Sequence, residues 1–279
     1  MNFRGANVII TGGSSGIGKA TAKLLAKYGA HVFIIARNQK KLDQALQEIQ
    51  AERVSPDQGF GAFSADVRSY QEVEAAIVAI VEASGLPDGL INSAGITYPG
   101  YFEEIPLETF RDLMDVNYFG TLYAIRAVLP FLKERGGGFI VNISSGAGIV
   151  SYFGYTAYGA SKFAVRGLSD ALRDELKPQG ISVSVVFPPD TDTPQHRFEQ
   201  KLLPPKTKAI SGTVKLVSPE QVAKEILEGV CKGKYLIMPG FKSEVMLRFF
   251  SIFGSLTNWA KDHVVANDRT GRLLLKVLS

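Results

Sequence analysis

Tyr158 and Lys162 stand four residues apart, a spacing that puts both side chains on one face of a helix. A phenol with a pKa of about 10 is a poor acid–base group at neutral pH. A neighbouring ammonium stabilises the phenolate and lowers that pKa. The pair by itself is common and usually structural. Upstream, Ser144 and Ser145 close an apolar run, with Gly146, Ala147 and Gly148 beyond. A hydroxyl there can donate to a carbonyl oxygen while Tyr158 protonates it.

A second group of residues suits an anionic cofactor. Thr11, Gly12, Gly13, Ser14, Ser15, Gly16, Ile17 and Gly18 follow a short apolar stretch and open a helical one. Glycines let the backbone turn sharply and approach a pyrophosphate, and a helix N-terminus offers free N–H groups and a positive dipole end. The spacing GxxxGxG differs from the GxGxxG fingerprint of dinucleotide sites, and a tight turn without a ligand fits the same glycines. Arg37 ends the second apolar run, where NAD sites place an acidic residue for the ribose 2′-hydroxyl. A carboxylate would repel a 2′-phosphate, whereas a guanidinium binds it bidentately. The expectation is NADPH; the alternative is a solvated surface arginine.

Together, TGxxxGxG, Asn92-Ser93-Ala94-Gly95, Asn117, Ser145 and Tyr158-xxx-Lys162 resemble the short-chain dehydrogenase/reductase family in order and spacing. The resemblance implies a Rossmann-like fold with NADP(H) along the C-terminal edge of the sheet. It implies that Tyr158 donates the proton, Lys162 holds the nicotinamide ribose and depresses the tyrosine's pKa, and Ser145 orients and polarises the carbonyl. Asn117 would anchor a water that relays protons to Lys162. Asp66 and Val67 would contact adenine, and Asn92 would pack under the cofactor. The implied cofactor site also takes in Gly12, Ser14, Ser15, Gly16, Ile17, Gly18, Arg37, Ala94, Gly95, Pro188, Thr191 and Thr193. Asp66 precedes a helix, so it would equally serve as a cap.

One departure from the family stands at Pro188-Pro189, where Pro-Gly is usual. Proline removes an N–H and fixes φ, so backbone contacts to nicotinamide would differ. Thr193 occupies the place where the family often binds the carboxamide. The string Pro188-Pro189-Asp190-Thr191-Asp192-Thr193-Pro194, with the segment 158–168, resembles a branch of the family, the 3-ketodihydrosphingosine reductases. These reduce the 3-keto group of a long-chain sphingoid base precursor with NADPH. The expected function is therefore NADPH-dependent reduction of such a keto lipid. A general short-chain ketone or 3-oxoacyl reductase is the alternative within the enzyme class. A non-catalytic NADPH-sensing protein is the alternative outside it, but such a protein has no need to keep Ser145, Tyr158 and Lys162 together.

The elements that must position these groups alternate regularly. Apolar runs at 6–10, 30–36, 60–65, 89–92, 138–144 and 181–187 predict strands. Helical spacing runs over 16–28, 39–53, 70–83, 107–134 and 156–176. Such alternation predicts a single α/β domain over 1–240, a doubly wound parallel sheet with helices on both faces. Residues 188–217, rich in Pro, Thr and Lys, predict a loop or loosely helical substrate flap. Ser218-Pro219-Glu220 starts another helix, and 235–238 reads as a last strand.

Composition sets bounds. The 279 residues are 46% hydrophobic and 21% charged, as in a soluble globular enzyme, and the net charge of +4 fits an anionic cofactor or surface. The three histidines lie far apart and form no metal-ligand pattern; no nucleic-acid partner is expected. The lone Cys231 cannot form an intramolecular disulfide and is expected to be a small buried residue. The residues ahead of the first strand leave no room for a signal peptide's apolar core, so a cytoplasmic location is expected. The family resemblance implies pairing through the helices 107–134 and 156–176, and the second carries Phe163, Ala164 and Leu168, so a homodimer or homotetramer is expected. The C-terminal extension 241–279 contains an apolar stretch, 245–259, too short to span a bilayer. It would lie in a membrane interface, dock on another subunit, cover the substrate pocket, or pack on its own domain.

Overall fold

The strands are the most apolar stretches of the chain because helices cover both of their faces. In the computed structural model, which describes residues 2–151, 153–205, 207 and 216–240, β1 (Asn7–Thr11), β2 (His31–Ala36), β3 (Phe60–Ser64), β4 (Gly89–Asn92), β5 (Gly138–Ile143), β6 (Ile181–Val186) and β7 (Leu236–Ile237) form one sheet. Its order is β3-β2-β1-β4-β5-β6-β7. Every pairing is parallel, as in Ile10↔Ile34 and Ile10↔Ile91.

Strand order reverses between β1 and β4, which lie side by side. In open parallel sheets, ligands bind outside the carboxyl ends of the strands at such a switch point. Thr11 and Asn92 are the paired last residues of those two strands.

The helices form two layers. α1 (Gly16–Lys27), α2 (Gln39–Gln50) and α8 (Pro219–Cys231) cover one face, burying Leu25, Leu42, Ile49, Ile226 and Leu227. α3 (Tyr70–Ser84), α5 (Gly120–Arg135) and α6 (Thr156–Leu176) cover the other with Ile77, Ile80, Val128, Leu132 and Leu176.

The structure departs from the sequence reading at two places. The helix expected over 107–134 is α4 (Leu107–Met114), a π turn (Asp115–Phe119) and then α5. A π turn inserts one residue into the helical ladder, and apolar periodicity averaged over a long segment does not register it. Of the two readings of the flap, loop or loosely helical, the helical one holds over α7 (Pro194–Leu202). Thr193 caps it, its Oγ1 accepting from His196 N at 3.1 Å, and Pro194 fits the first turn. The base of the flap is pinned where Asp192 N donates to Val217 O at 3.0 Å and Val217 N donates to Asp190 O at 3.0 Å. The second departure is Cys231, which is exposed rather than buried, because it ends α8 beyond the turn that carries Ile226 and Leu227 into the core.

The extension 241–279, with its apolar stretch 245–259, lies outside the described residues. Among the described residues no helix is long and apolar enough to cross a membrane.

Candidate active site

The crevice at the switch point is built for close approach of a ligand to backbone. Gly12 has φ +70°, and a Cβ there would lie 2.5 Å from Ala94 N. A Cβ on Gly18 would lie 2.5 Å from Gly12 O. Only glycine fits either position. Ser15 stands at the N-cap of α1 in an extended conformation, and its side chain makes no capping bond. The first amides of α1 are therefore open to a ligand, so the cradle fits a pyrophosphate. Ser14 and Gly16 lie in the same turn, where a Cβ on Gly16 would meet Thr193 Cγ2 at 3.2 Å; the flap thus comes down beside the glycine turn. Ile17 packs on the core.

Beneath the crevice runs a buried polar chain. Ala94 N donates to Thr11 Oγ1 at 3.4 Å, Thr11 Oγ1 approaches Asn92 Oδ1 at 3.5 Å, Asn92 Nδ2 donates to Asn142 Oδ1 at 2.9 Å, and Asn142 Nδ2 donates to Ser169 Oγ at 2.9 Å. Asn92 is thus held by its neighbours across the strands.

Arg37 follows β2 with its side chain 55% exposed, and its Nη1 lies 3.9 Å from Asp66 Oδ2. Asp66 also accepts from Arg68 through its backbone N at 3.0 Å, its Nε at 3.0 Å and its Nη2 at 2.7 Å. Burial works to raise the Asp66 carboxyl, but the Arg68 hydrogen bonds and the charges of Arg68 and Arg37 bring it below its ordinary value. Asp66 is not the helix cap: Ser69 is, its Oγ accepting from Glu72 N at 3.3 Å. Val67 is buried and meets Gly120, where a Cβ would lie 2.8 Å from Val67 Cγ2.

The four groups named for catalysis come together around α6. Tyr158 and Lys162 are 8% and 5% exposed. Lys162 Nζ donates to Ile143 O at 3.1 Å and lies 5.7 Å from the centre of the Tyr158 ring. Asn117, fully buried in the π turn, accepts from Ile96 N at 2.9 Å and donates to Ile96 O at 3.0 Å and to Ser161 Oγ at 2.9 Å. Its backbone carbonyl accepts from Thr121 Oγ1 at 2.8 Å. Gly95 makes room between them: a Cβ there would lie 3.2 Å from Asn117 Oδ1 and 3.3 Å from Lys162 Nζ. Ser145 caps a short 3₁₀ turn, Ala147 N donating to its Oγ at 3.2 Å.

Ionisation of the pair differs from the sequence expectation. Burial pushes the Tyr158 phenol well above its ordinary value, Ser145 pulls it down, the charges of Glu199 and Asp190 push it up, and Gln195 pulls it down. Burial also lowers the Lys162 ammonium to about 8. The depression of the phenol expected from Lys162 does not prevail, because the site excludes water from both groups.

On the flap side, Pro188 O accepts from Gly146 N at 3.3 Å, and Thr191 Oγ1 donates to Pro189 O at 2.8 Å. The second proline therefore still offers its carbonyl to hold the turn.

The short chain dehydrogenase family model matches residues 6–201. This chain is a short-chain dehydrogenase/reductase. It is 44% identical over 236 residues to a 3-dehydrosphinganine reductase of Danio rerio, covering 84% of this chain and 71% of the relative. It is 45% identical over 232 residues to a 3-ketodihydrosphingosine reductase of Mus musculus, covering 83% of this chain and 70% of the relative. Among solved structures, levodione reductase superposes with a TM-score of 0.77 at 25% identity, covering 85% of this chain and 96% of that one. As a member of this family the chain is an oxidoreductase that uses a nicotinamide cofactor.

This short-chain dehydrogenase carries residues beside Tyr158 that the sequence reading passed over. Tyr155, three residues before Tyr158, donates its hydroxyl to Glu199 on α7, and the two tyrosine rings lie 6.0 Å apart. Burial pushes the Glu199 carboxyl up to about 7; the bond from Tyr155 opposes this and the charge of Asp190 adds to it. Asp190 is likewise raised by burial, against the charge of His196. Thr97 is 4% exposed, and its hydroxyl makes no full hydrogen bond, although it lies close enough to Glu199 to favour the charged carboxylate slightly. Tyr155 and Glu199 are 44 residues apart, so no local spacing signals them. Arg68 was passed over too, although a cation two residues after Asp66 was a legible signal.

Proposed function

We propose that the chain reduces a long-chain 3-keto sphingoid base to the corresponding secondary alcohol with NADPH. The observation that carries this reading is the buried Tyr158 beside Ser145 and Lys162, in a chain 44–45% identical to proteins named for that reduction.

A reduced nicotinamide, held in the crevice by Lys162, Thr191 and Thr193, would supply a hydride for the carbonyl carbon. Ser145 Oγ and the Tyr158 hydroxyl donate to the carbonyl oxygen, and the Tyr158 proton passes to it as the alcohol forms. The Lys162 ammonium holds a ribose hydroxyl and stabilises the tyrosinate left behind. Arg37, with Arg68 behind it, receives the 2′-phosphate; the exposed guanidinium of Arg37 supports the choice of NADPH. The Gly12–Gly18 turn and the amides of α1 take the pyrophosphate, Asp66 and Val67 flank the adenine, and Ala94, Thr191 and Thr193 line the remainder.

A shallow cavity lined by Tyr98, Tyr101, Ile105, Leu202, Leu203 and Pro204 lies between the 98–105 loop and the end of α7. The surrounding elements expose Phe102, Leu107 and Phe198, which suits a substrate drawn from a lipid surface. A homodimer is the proposed assembly: Phe163 on α6 and Phe119 beside α5 are exposed, and Gly167 has open space where a side chain would stand.

The test is NADPH and NADH oxidation across a panel of 3-ketodihydrosphingosine, a 3-oxoacyl thioester and short ketones. Preference for the sphingoid ketone with NADPH is expected. Strong thioester reduction without activity on the sphingoid ketone would replace this reading with the 3-oxoacyl one.

A further inference from the structure

Ketone reduction needs a hydride, a proton and donors to the carbonyl oxygen. It does not need carboxyl groups, yet two flank the proton donor. Asp190 follows β6 and Glu199 lies on α7; their charges act on each other and on Tyr158. Among the described residues no lysine or arginine offsets either one. His196 faces Asp190, while Tyr155 and Thr97 face Glu199. Carboxylates withdrawn from water without a cation are costly, and a binding site is where such a cost is retained.

A second observation is independent of the carboxyls. Thr97 is buried with a hydroxyl that finds no full hydrogen bond, and it points into the same spot beside Glu199. Buried hydroxyls are ordinarily satisfied. Two acceptor carboxyls and an unsatisfied hydroxyl together match one kind of ligand group, a cation with several N–H donors.

We infer that Asp190, Glu199 and Thr97 form a receptor for the ammonium group of an amino ketone, holding it beside the carbonyl that Tyr158 protonates. The inference rests on the reading above and deepens it. A 3-keto sphingoid base carries its amine on the carbon next to the ketone, so an anionic pair beside Tyr158 stands where that amine must come. Tyr155 fixes Glu199 from the N-cap of the helix that carries Tyr158, which ties amine placement to carbonyl placement. A cation between the carboxyls would also cancel their upward push on the phenol and ease its proton transfer.

The test compares 3-ketodihydrosphingosine with 1-hydroxyoctadecan-3-one, which keeps the chain and ketone and lacks the amine. NADPH oxidation gives kcat/KM for each, in the intact chain and in Glu199→Gln and Asp190→Asn. The intact chain should favour the amino ketone by about tenfold or more, the scale of one charge-assisted bond. Each variant should lose most of that preference while still reducing the deaminated ketone, with NADPH binding by fluorescence unchanged. Equal loss on both substrates, or a preference that survives both variants, would overturn the receptor. An intact chain that reduces both ketones equally would also overturn it and leave the ketone-reductase reading standing. Reduction of neither ketone would remove both. Should the variants not fold, inhibition of the intact chain by dihydrosphingosine against its N-acetyl derivative decides: only the charged amine should inhibit strongly, and equal inhibition would count against the receptor.

Discussion

The Tyr155 hydroxyl donates to the Glu199 carboxyl, joining the helix that carries Tyr158 to the helix that closes the flap. Glu199 is raised from 4.5 to about 7. Between those values the folded chain holds a proton that the unfolded chain has lost, so this group lowers stability as pH rises through the window. Glu199→Gln removes the penalty. Relative to the parent, the variant should gain about 1–2 kcal/mol between pH 5 and pH 8, a discounted figure because the site is only partly buried. Urea unfolding at the two pH values measures it; the same stability difference at both would refute the assignment.

Removing the Tyr158 hydroxyl should affect chemistry and spare the fold. The ring packs against Leu113, Ala147 and Ala157, and Tyr158→Phe keeps those contacts. Turnover should drop by at least ~10², the scale of a positioned general acid. NADPH affinity and melting temperature should stay close to the parent. More than about a tenth of the parent rate would assign the proton to another group.

Arg37 and Arg68 converge on Asp66, at 3.9 Å and 2.7 Å. Arg37→Asp removes a phosphate partner and adds repulsion, each worth about 1–3 kcal/mol. Preference should move from NADPH toward NADH by about tenfold or more. Arg68→Ala should cost less, because Arg68 already spends its guanidinium on Asp66. Unchanged Michaelis constants for both cofactors in Arg37→Asp would rule out 2′-phosphate recognition there.

How far the sequence was legible follows from which relations are local. Runs such as HVFIIA announce strands buried on both faces, and regular alternation of strands with helical segments implies the parallel sheet. Tyr158 and Lys162 share a helix face by spacing alone, and Gly12 and Gly18 sit where a side chain would clash. Three things are not local. The π turn at Asn117 is a single extra residue within a long amphipathic stretch. The Glu199 contacts depend on how the flap folds back over α6. The raised Tyr158 phenol reflects burial, a property of the closed site that pairing with Lys162 does not reveal. α7 was nearer to legible, since Thr193-Pro194 is a cap followed by a first-turn proline.

Asn117 supplies the last prediction. Its amide brackets Ile96, accepting from the N–H at 2.9 Å and donating to the carbonyl at 3.0 Å, and it reaches Ser161, the residue before Lys162. Ile96 follows Gly95, which lies against Lys162 Nζ. One side chain therefore fixes both the loop and the helix that bound the lysine. Asn117→Ala leaves the Ile96 N–H and C=O without partners and opens a small void. Such losses cost about 2–4 kcal/mol. Asn117→Asp keeps the acceptor for Ile96 N–H but turns a carboxylate on the Ile96 carbonyl, so it should rescue little. If the residue acts by positioning Lys162, the pH at which kcat falls should also move, because an ammonium at about 8 is sensitive to a small change in its surroundings. Denaturant unfolding and a kcat–pH profile for both variants test this. A stability loss with an unmoved profile would reduce Asn117 to a structural clamp, and an unchanged stability would contradict the bonding described.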